Sequence, residues 1–363
     1  MPGPNQYYVD PSINANSGTG TIGDPFGDLQ YCLNTITRST TVGDQVNIKA
    51  GTPESMTTAI SLATYGTPTK LILAGYTSAA DDGGIGEITF NGNNTNVFSS
   101  QLNIDLRSLK IGNFGTGSLL VGASQITHCE IHTFSGTITT QGNFYYNHVH
   151  THTGTNLCVQ MNGAVVAFNI LRSSTNWAVA YGNGSGGLFL GNVVVHSNTV
   201  GSAIVALNVA QTFLILSNSV INTSAGGTGR GIEWNSTTLP NSGIIANNIV
   251  QGWSGSGGRA IGPSGTRPCF LIRDNRWWNC ATGLAGTAGS DYMLAINNSA
   301  LTASPFTDVA NLDFRVSSDV AGIGWPSALR SAALSTQSVD LGALQRAGGA
   351  SGFSLSRLIN LGG

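Results

Sequence analysis

GNVVVHSNTV (residues 191–200), TFLILSNSVINT (212–223) and GIIANNIVQGW (243–253) decide the fold. Each is a short β-prone run broken by asparagine. The same Asn-centred phrase recurs as YNHVH, FNILR, SNTVG, SNSVI, NNIVQ, DNRWW and INNSA, at Asn147, Asn169, Asn198, Asn218, Asn247, Asn275 and Asn297. Spacings of 22, 29, 20, 29, 28 and 22 residues describe a coil that returns to one lateral position each turn, with loops of unequal length bulging from it. Asparagine tolerates left-handed backbone at a tight bend, and its amide can hydrogen-bond to a copy of itself in the next coil. The apolar neighbours then point inward and stack. The pattern predicts an all-β, single-stranded right-handed parallel β-helix (solenoid) over residues 45–326. With rungs about 4.8 Å apart, roughly ten coils would make a rod on the order of 50 Å long.

Residues 1–44 read as an N-terminal strand, a Gly-rich loop and a capping helix. In DPFGDLQYCLNTIT (24–37), Asp24 can serve as N-cap with Pro25 at the first helical position. Phe26, Leu29, Leu33 and Ile36 then form one stripe. Gly43-Asp44 turns the chain into QVNIKA, where Val46 and Ile48 alternate as a strand should. A short amphipathic helix there suits a lid over the open end of a solenoid. Residues 327–363 form a capping or docking tail. AGGASG is a flexible spacer, and beyond it Phe353, Leu355, Leu358, Ile359 and Leu361 make an apolar peptide for the rod's own end or for another chain.

Of the 363 residues only 9% are charged, against about a quarter in an ordinary globular protein. A solenoid faced with Ser, Thr, Asn and Gly has this composition. The net charge of −2 offers no electrostatic basis for binding nucleic acid or an anionic membrane. Five cysteines (Cys32, Cys129, Cys158, Cys269, Cys280) lack CxxC spacing and read as small buried thiols. The opening MPGPNQYYVD has neither a basic nor an apolar leader region, and no apolar run reaches 18 residues.

Histidines are concentrated. NHVHTHTG (147–154) places His148, His150 and His152 at every second position, and THCEIHTF (127–134) does the same with His128, Glu130 and His132. An offset of 22 from His128 to His150 would put all six on one exposed sheet, as five imidazoles and a carboxylate. Such a patch could hold Zn²⁺ or Ni²⁺ or supply a general base. The plainer reading is an outward wall that packs on a neighbouring subunit. Three further groups have chemical potential. Asp81, Asp82 and Glu87 sit in DDGGIGE, as a calcium loop or a solvated turn. Arg230 and Glu233 flank Trp234, as a sugar grip or a surface ion pair. Arg273, Asp274 and Arg276 precede Trp277-Trp278, as a glycan contact or a local ion pair.

The opening YYVDPSINANSGTGTIGDPFGDLQYCLN…GDQVNIKAGT resembles the start of right-handed β-helix proteins of the pectate-lyase-like superfamily. LDFRVSSDVAGIGWP and VDLGALQR look like the closing segments of the same group. The resemblance implies the fold. It leaves activity open, because the superfamily includes polysaccharide lyases, hydrolases, adhesins and bacteriophage spikes. Its lyases hold Ca²⁺ on clustered carboxylates beside an Arg or Lys, and its hydrolases use two or three Asp or Glu on adjacent rungs. Between residues 111 and 270 this chain has only Glu130 and Glu233, and it has no lysine after Lys110. Neither motif transfers, so no catalytic residue, cofactor or metal is assigned. The reading is a non-enzymatic structural β-helix of a virion (phage spike, fibre or capsid decoration subunit) assembled in the host cytoplasm. Its partners would be its own copies, as a trimer, other virion proteins through the tail, and surface glycans. The alternatives are an extracellular polysaccharide lyase or glycoside hydrolase, and a bacterial surface adhesin.

Overall fold

The computed structural model describes residues 3–316 apart from 14–15, 63–69, 93–95, 99–102, 122–124, 156, 163–164, 184–186, 208–211, 236–242, 265–268, 287–291 and 312. The tail at 327–363 and most of the closing motifs lie outside the described residues. The chain forms two compact units, Met1–Gln160 and Met161–Gly363.

In the second unit successive coils contribute strands to three parallel sheets, the last described coil to the first two alone. The first sheet stacks Val165–Ala167, Gly187–Leu190, Phe213–Leu216, Ile244–Ala246, Cys269–Arg273 and Tyr292–Ile296. The second stacks Ile170–Ser173, Val193–His196, Ser219–Asn222, Ile249–Gln251, Arg276–Trp278 and Ser299–Ala300. The third stacks Ala178–Asn183, Ser202–Leu207, Arg230–Asn235, Arg259–Pro263 and Thr282–Leu284. The first unit repeats the plan. Its first sheet runs from Asn5–Val9 through Asp44–Lys49 to Phe144–Tyr145, and its second from Glu54–Met56 to His148–His152. This is the right-handed parallel β-helix expected from the repeat.

The asparagine ladder exists, with a corrected membership. Its side-chain rungs in the second unit are Asn169, Asn192, Asn218, Asn248, Asn275 and Asn298, each Nδ2 bonded to the next Oδ1 at 2.9–3.0 Å. Every such Oδ1 also accepts the backbone N–H of the preceding asparagine. Asn198, Asn247 and Asn297, taken from the sequence as ladder members, are not. Asn247 (φ 62°) and Asn297 (φ 51°) occupy the left-handed bend one residue earlier, as do Phe168, Gly191, Ser217 and Asp274 in the other coils. The bend and the ladder are therefore adjacent positions, each of which favours asparagine for its own reason. Asn198 belongs to a different corner, where it bonds Ser174 and Asn176.

The capping helix is Leu29–Thr35, and its N-cap is Asp28, whose Oδ1 accepts the Tyr31 N–H at 2.5 Å. Asp24 closes the preceding turn by accepting the Thr19 N–H. Phe26 is extended and bridges Val9, yet it is buried with Leu29, Cys32 and Leu33, so the stripe survives at its centre. All five cysteines are free; four are buried and Cys280 is half-buried. At the C-terminal side the chain folds back so that Phe306, Leu301 and Val309 cover the outer face of the second sheet, where Ile170, Val193, Val195, Ile221 and Ile249 are at most 8% exposed.

Candidate functional site

The histidine face is smaller than its periodicity implied. Pairing between Glu130–Phe134 and His148–His152 runs at an offset of 18, placing Glu130 beside His148, His132 beside His150 and Phe134 beside His152. Two left-handed residues break the alternation. Thr133 (φ 53°) and Thr151 (φ 55°), outliers for β-branched side chains, turn a corner that sends Phe134 and His152 into the core. His152 packs at a tilt against Phe134, ring centroids 4.7 Å apart, and bonds the Gly136 carbonyl at 2.9 Å, and burial pulls its pKa down to about 4. His128 sits in the left-handed bend (φ 56°), stacked on Tyr146, and desolvation lowers its pKa.

Glu130, His132, His148 and His150 remain outside. His150 Nε2 meets Glu130 Oε1 at 3.1 Å, and this bond, with Lys110 nearby, holds the Glu130 carboxyl below its usual range. The His132 and His150 rings stack at 5.5 Å over Gly112, where a Cβ would strike the His132 ring. Hydrogen bonds from His132 to Thr133 and from His150 to Thr151 repeat in the two coils, so they belong to the corner rather than to a nucleophile. Among the described residues no three His, Cys, Asp or Glu side chains converge to hold a metal ion. Protein purified without an affinity tag is expected to carry no stoichiometric zinc or nickel, which elemental analysis will check.

The acidic loop is a turn organiser. Asp82 accepts backbone N–H groups from Thr77, Ser78, Ala79 and Gly84, which hold its carboxyl far below the ordinary range. Glu87 points elsewhere, to Lys110 at 3.5 Å. The carboxylates of this loop do not converge as calcium would require. Arg273 pairs with Asp274 at 2.8 Å, and Asp274 also accepts from Asn297. Arg276, buried, reaches the carbonyls of Asn275 and Asn297. This group fastens the last described coils together.

Arg230 and Glu233 form the most developed polar cluster. Trp234 is 0% exposed and lies in the core, so it cannot stack on a sugar as the sequence suggested. Alternation along the strand sends Glu233 the other way, onto the outer face of the third sheet. Its side chain is only 14% exposed and accepts hydroxyl hydrogen bonds from Ser202 on one oxygen and Ser264 on the other. Arg230 Nη1 stands 3.4 Å from the Ser202-bound oxygen, while Arg230 Nε is buried without a partner among the described residues. Ser202, Arg230 and Arg259 are neighbours in three successive coils, because Ile204 pairs with Ile232 and Arg230 with Arg259. Glu233 faces Gly262, whose missing side chain leaves both arginines room: a Cβ there would lie 3.4 Å from Arg259 and 3.8 Å from Arg230. The sequence carried a signal for Arg259 that periodicity alone did not expose, since GRAIGP repeats GRGIEW one coil later.

Like charges on adjacent rungs repel. Arg230 pairs with Glu233, and Arg259, its neighbour one rung on, makes no ion pair with a described residue. The face thus keeps an uncompensated positive charge beside a fixed carboxylate.

The fold is that of a solved pectate lyase, Pel9A, with a TM-score of 0.52 and 12% identity over 95% of this chain and 97% of that one. A rhamnogalacturonan lyase aligns with a TM-score of 0.41 and 12% identity over 82% and 87% of the two chains. The GH136 lacto-N-biosidase from Eubacterium ramulus aligns at 0.46 and 11% over 82% and 68%. No protein-family model matches the chain, and no curated protein does. At such identities the likeness fixes the architecture alone.

Proposed function

We propose that the protein acts on polysaccharide as a lyase, with the outer face of the third sheet around Glu233 as the place where the sugar chain lies. The observation that carries this reading is the Arg230–Arg259 pair set against Glu233 on adjacent rungs. In β-elimination the C5–H bond breaks to a base and the C4–O bond to the leaving sugar, with a C4=C5 double bond left behind. Cations that neutralise the substrate's carboxylate acidify that C–H. Two arginines suit this task, and Glu233 is the carboxylate placed to accept the proton. Glycoside hydrolysis needs two carboxylates about 5–9.5 Å apart, and among the described residues no second carboxylate faces Glu233. A solved structure whose fold this chain shares is a pectate lyase, which accords with the reading.

Incubation with a panel of acidic and neutral polysaccharides tests it. Unsaturated ends should appear with an acidic substrate and fall at least 100-fold in Glu233→Gln and in Arg259→Ala, with His150→Ala unaffected. No unsaturated or reducing ends from any substrate would favour the second reading, a structural β-helix without catalysis, such as a virion spike, fibre or decoration subunit or a surface adhesin. That reading draws on the single carboxylate and on the immobility of its hydrogen-bonded oxygens.

A further inference from the structure

Among the described residues Trp177 is the largest apolar side chain left in solvent: it is 59% exposed, whereas Trp234 and Trp253 are fully buried. It stands one residue before the strand Ala178–Asn183, at the corner where its coil enters the third sheet. Ser202 donates its N–H to the Trp177 carbonyl at 3.2 Å, and Ala178 pairs with Ser202, so Gly201 is the residue opposite Trp177 on the next coil. A Cβ on Gly229 would strike the Gly201 carbonyl, which makes Gly229 its neighbour one coil further. Arg259 donates to the Gly229 carbonyl and Thr282 to the Gly258 carbonyl, both at 3.0 Å, so Gly258 completes the row.

Two rows therefore run side by side from coil to coil. One is Trp177, Gly201, Gly229 and Gly258. The other, one residue along each strand, is Ala178, Ser202, Arg230 and Arg259. The first is an indole followed by three coils without a side chain, and the second leads to the cationic pair beside Glu233. At about 4.8 Å per coil, Trp177 lies two coils and roughly 10 Å before Arg230. The corner also supplies a polar group: Asn176 accepts the Asn198 amide at 2.6 Å, and its own Nδ2 has no partner among the described residues.

An indole carries about 150–250 Å² of surface that gains by leaving water. A pyranose ring has a face of C–H bonds and a rim of hydroxyls. Its C–H hydrogens, slightly positive, meet the negative face of the indole, and the rim stays within reach of an amide such as Asn176. Each linked pyranose advances a sugar chain by about one coil spacing. We propose that Trp177 is a binding platform for the sugar chain, holding the residue two places from the one at Glu233, with the chain crossing the glycine row between them. This rests on the outer third sheet being the seat of the polysaccharide. It adds a dependence on chain length: a disaccharide at Glu233 ends short of the indole, and a longer chain reaches it.

The background for the test is Glu233→Gln, which leaves bound polysaccharide intact. In native gels containing pectate, alginate, xylan or galactan it should be retarded by at least one of the four. Trp177→Ala should then weaken that affinity roughly 10-fold, as loss of one aromatic contact does, and Trp177→Phe should stay within roughly threefold. In the free protein acrylamide should quench the fluorescence of Trp177, taken as the difference between wild type and Trp177→Phe, and the retarding saccharide should protect it. With Glu233 intact, Trp177→Ala should raise KM for the polymer and leave kcat unchanged. An indole shielded before any saccharide is added, no retardation by any of the four, or retardation that Trp177→Ala leaves unchanged overturns the proposal. The two readings fail separately. Binding that depends on Trp177 without unsaturated ends leaves the platform standing and ends the lyase reading, while unsaturated ends formed by Trp177→Ala with an unchanged KM do the reverse.

Discussion

Replacing Asn248 by alanine is expected to destabilise the protein by on the order of 4 kcal/mol, whereas Asn247→Gly, one residue away, should cost less than about 1 kcal/mol. The two side chains differ in what they leave behind. Asn248 Oδ1 accepts both the backbone N–H and the side-chain amide of Asn218, while its Nδ2 donates to the Ile215 and Ala246 carbonyls and to Asn275. All of these groups are buried. Truncation strands several of them without water, and each costs about 1–3 kcal/mol when unpaired. Asn247 stands in left-handed backbone, which glycine adopts freely, and its Oδ1 is buried without a partner. Removing that amide loses one hydrogen bond to Ser217 but also removes an unsatisfied acceptor. Denaturant unfolding, followed by the fluorescence of the buried Trp234 and Trp253, measures both changes. A cost below about 1 kcal/mol at Asn248 would mean that the ladder adds little beyond the strands it connects.

The second large effect is acid lability centred on His152. The folded protein keeps this ring neutral down to about pH 4, whereas the unfolded chain protonates near the ordinary value of 6.5. Between these values the unfolded state binds the extra proton, so stability falls as pH drops from 6.5 to 4, by about 3 kcal/mol in all. His196, buried and bonded to the Thr175 carbonyl, acts in the same direction. Glu54 acts in the opposite one. Burial raises its pKa from 4.5 to about 7, so its contribution is lost as pH rises across that interval. The diagnostic variant is therefore His152→Phe, which extends the ring column of Phe90, Phe114 and Phe134. Unfolding midpoints at pH 7, 5.5 and 4 should diverge, with the wild type losing about 3 kcal/mol more than the variant. Parallel loss in the two proteins would remove His152 as the cause.

The coil was legible because it rests on residue types that repeat: apolar runs and bend asparagines at intervals set by coil length. What was not legible was register. Asn247-Asn248 and Asn297-Asn298 are doublets, and only backbone geometry tells which member bends and which bonds. At the histidines a left-handed Thr151 reverses the side chain that follows it. No count of alternate positions anticipates that, so His152 was assigned to the surface and lies in the core. At the candidate site, Arg230 and Glu233 were visible as a pair in one strand. Ser202, Arg259 and Ser264 join them from neighbouring coils, where sequence distance hides spatial contact. The sugar-stacking alternative for Trp234 fails because alternation sends the indole to the opposite face from Glu233.

The ladder has a direction. Each of its first five asparagines, Asn169 to Asn275, gives its backbone N–H to the coil that follows, not to the one before. A ribosome delivers the chain in that same order, so in each newly emerged turn this one backbone donor waits unanswered until some thirty more residues have left the exit tunnel, although neighbouring donors already bond the coil before. The growing tip of the nascent chain is thus always its least settled part, and a stall there would leave an open template for the wrong strand.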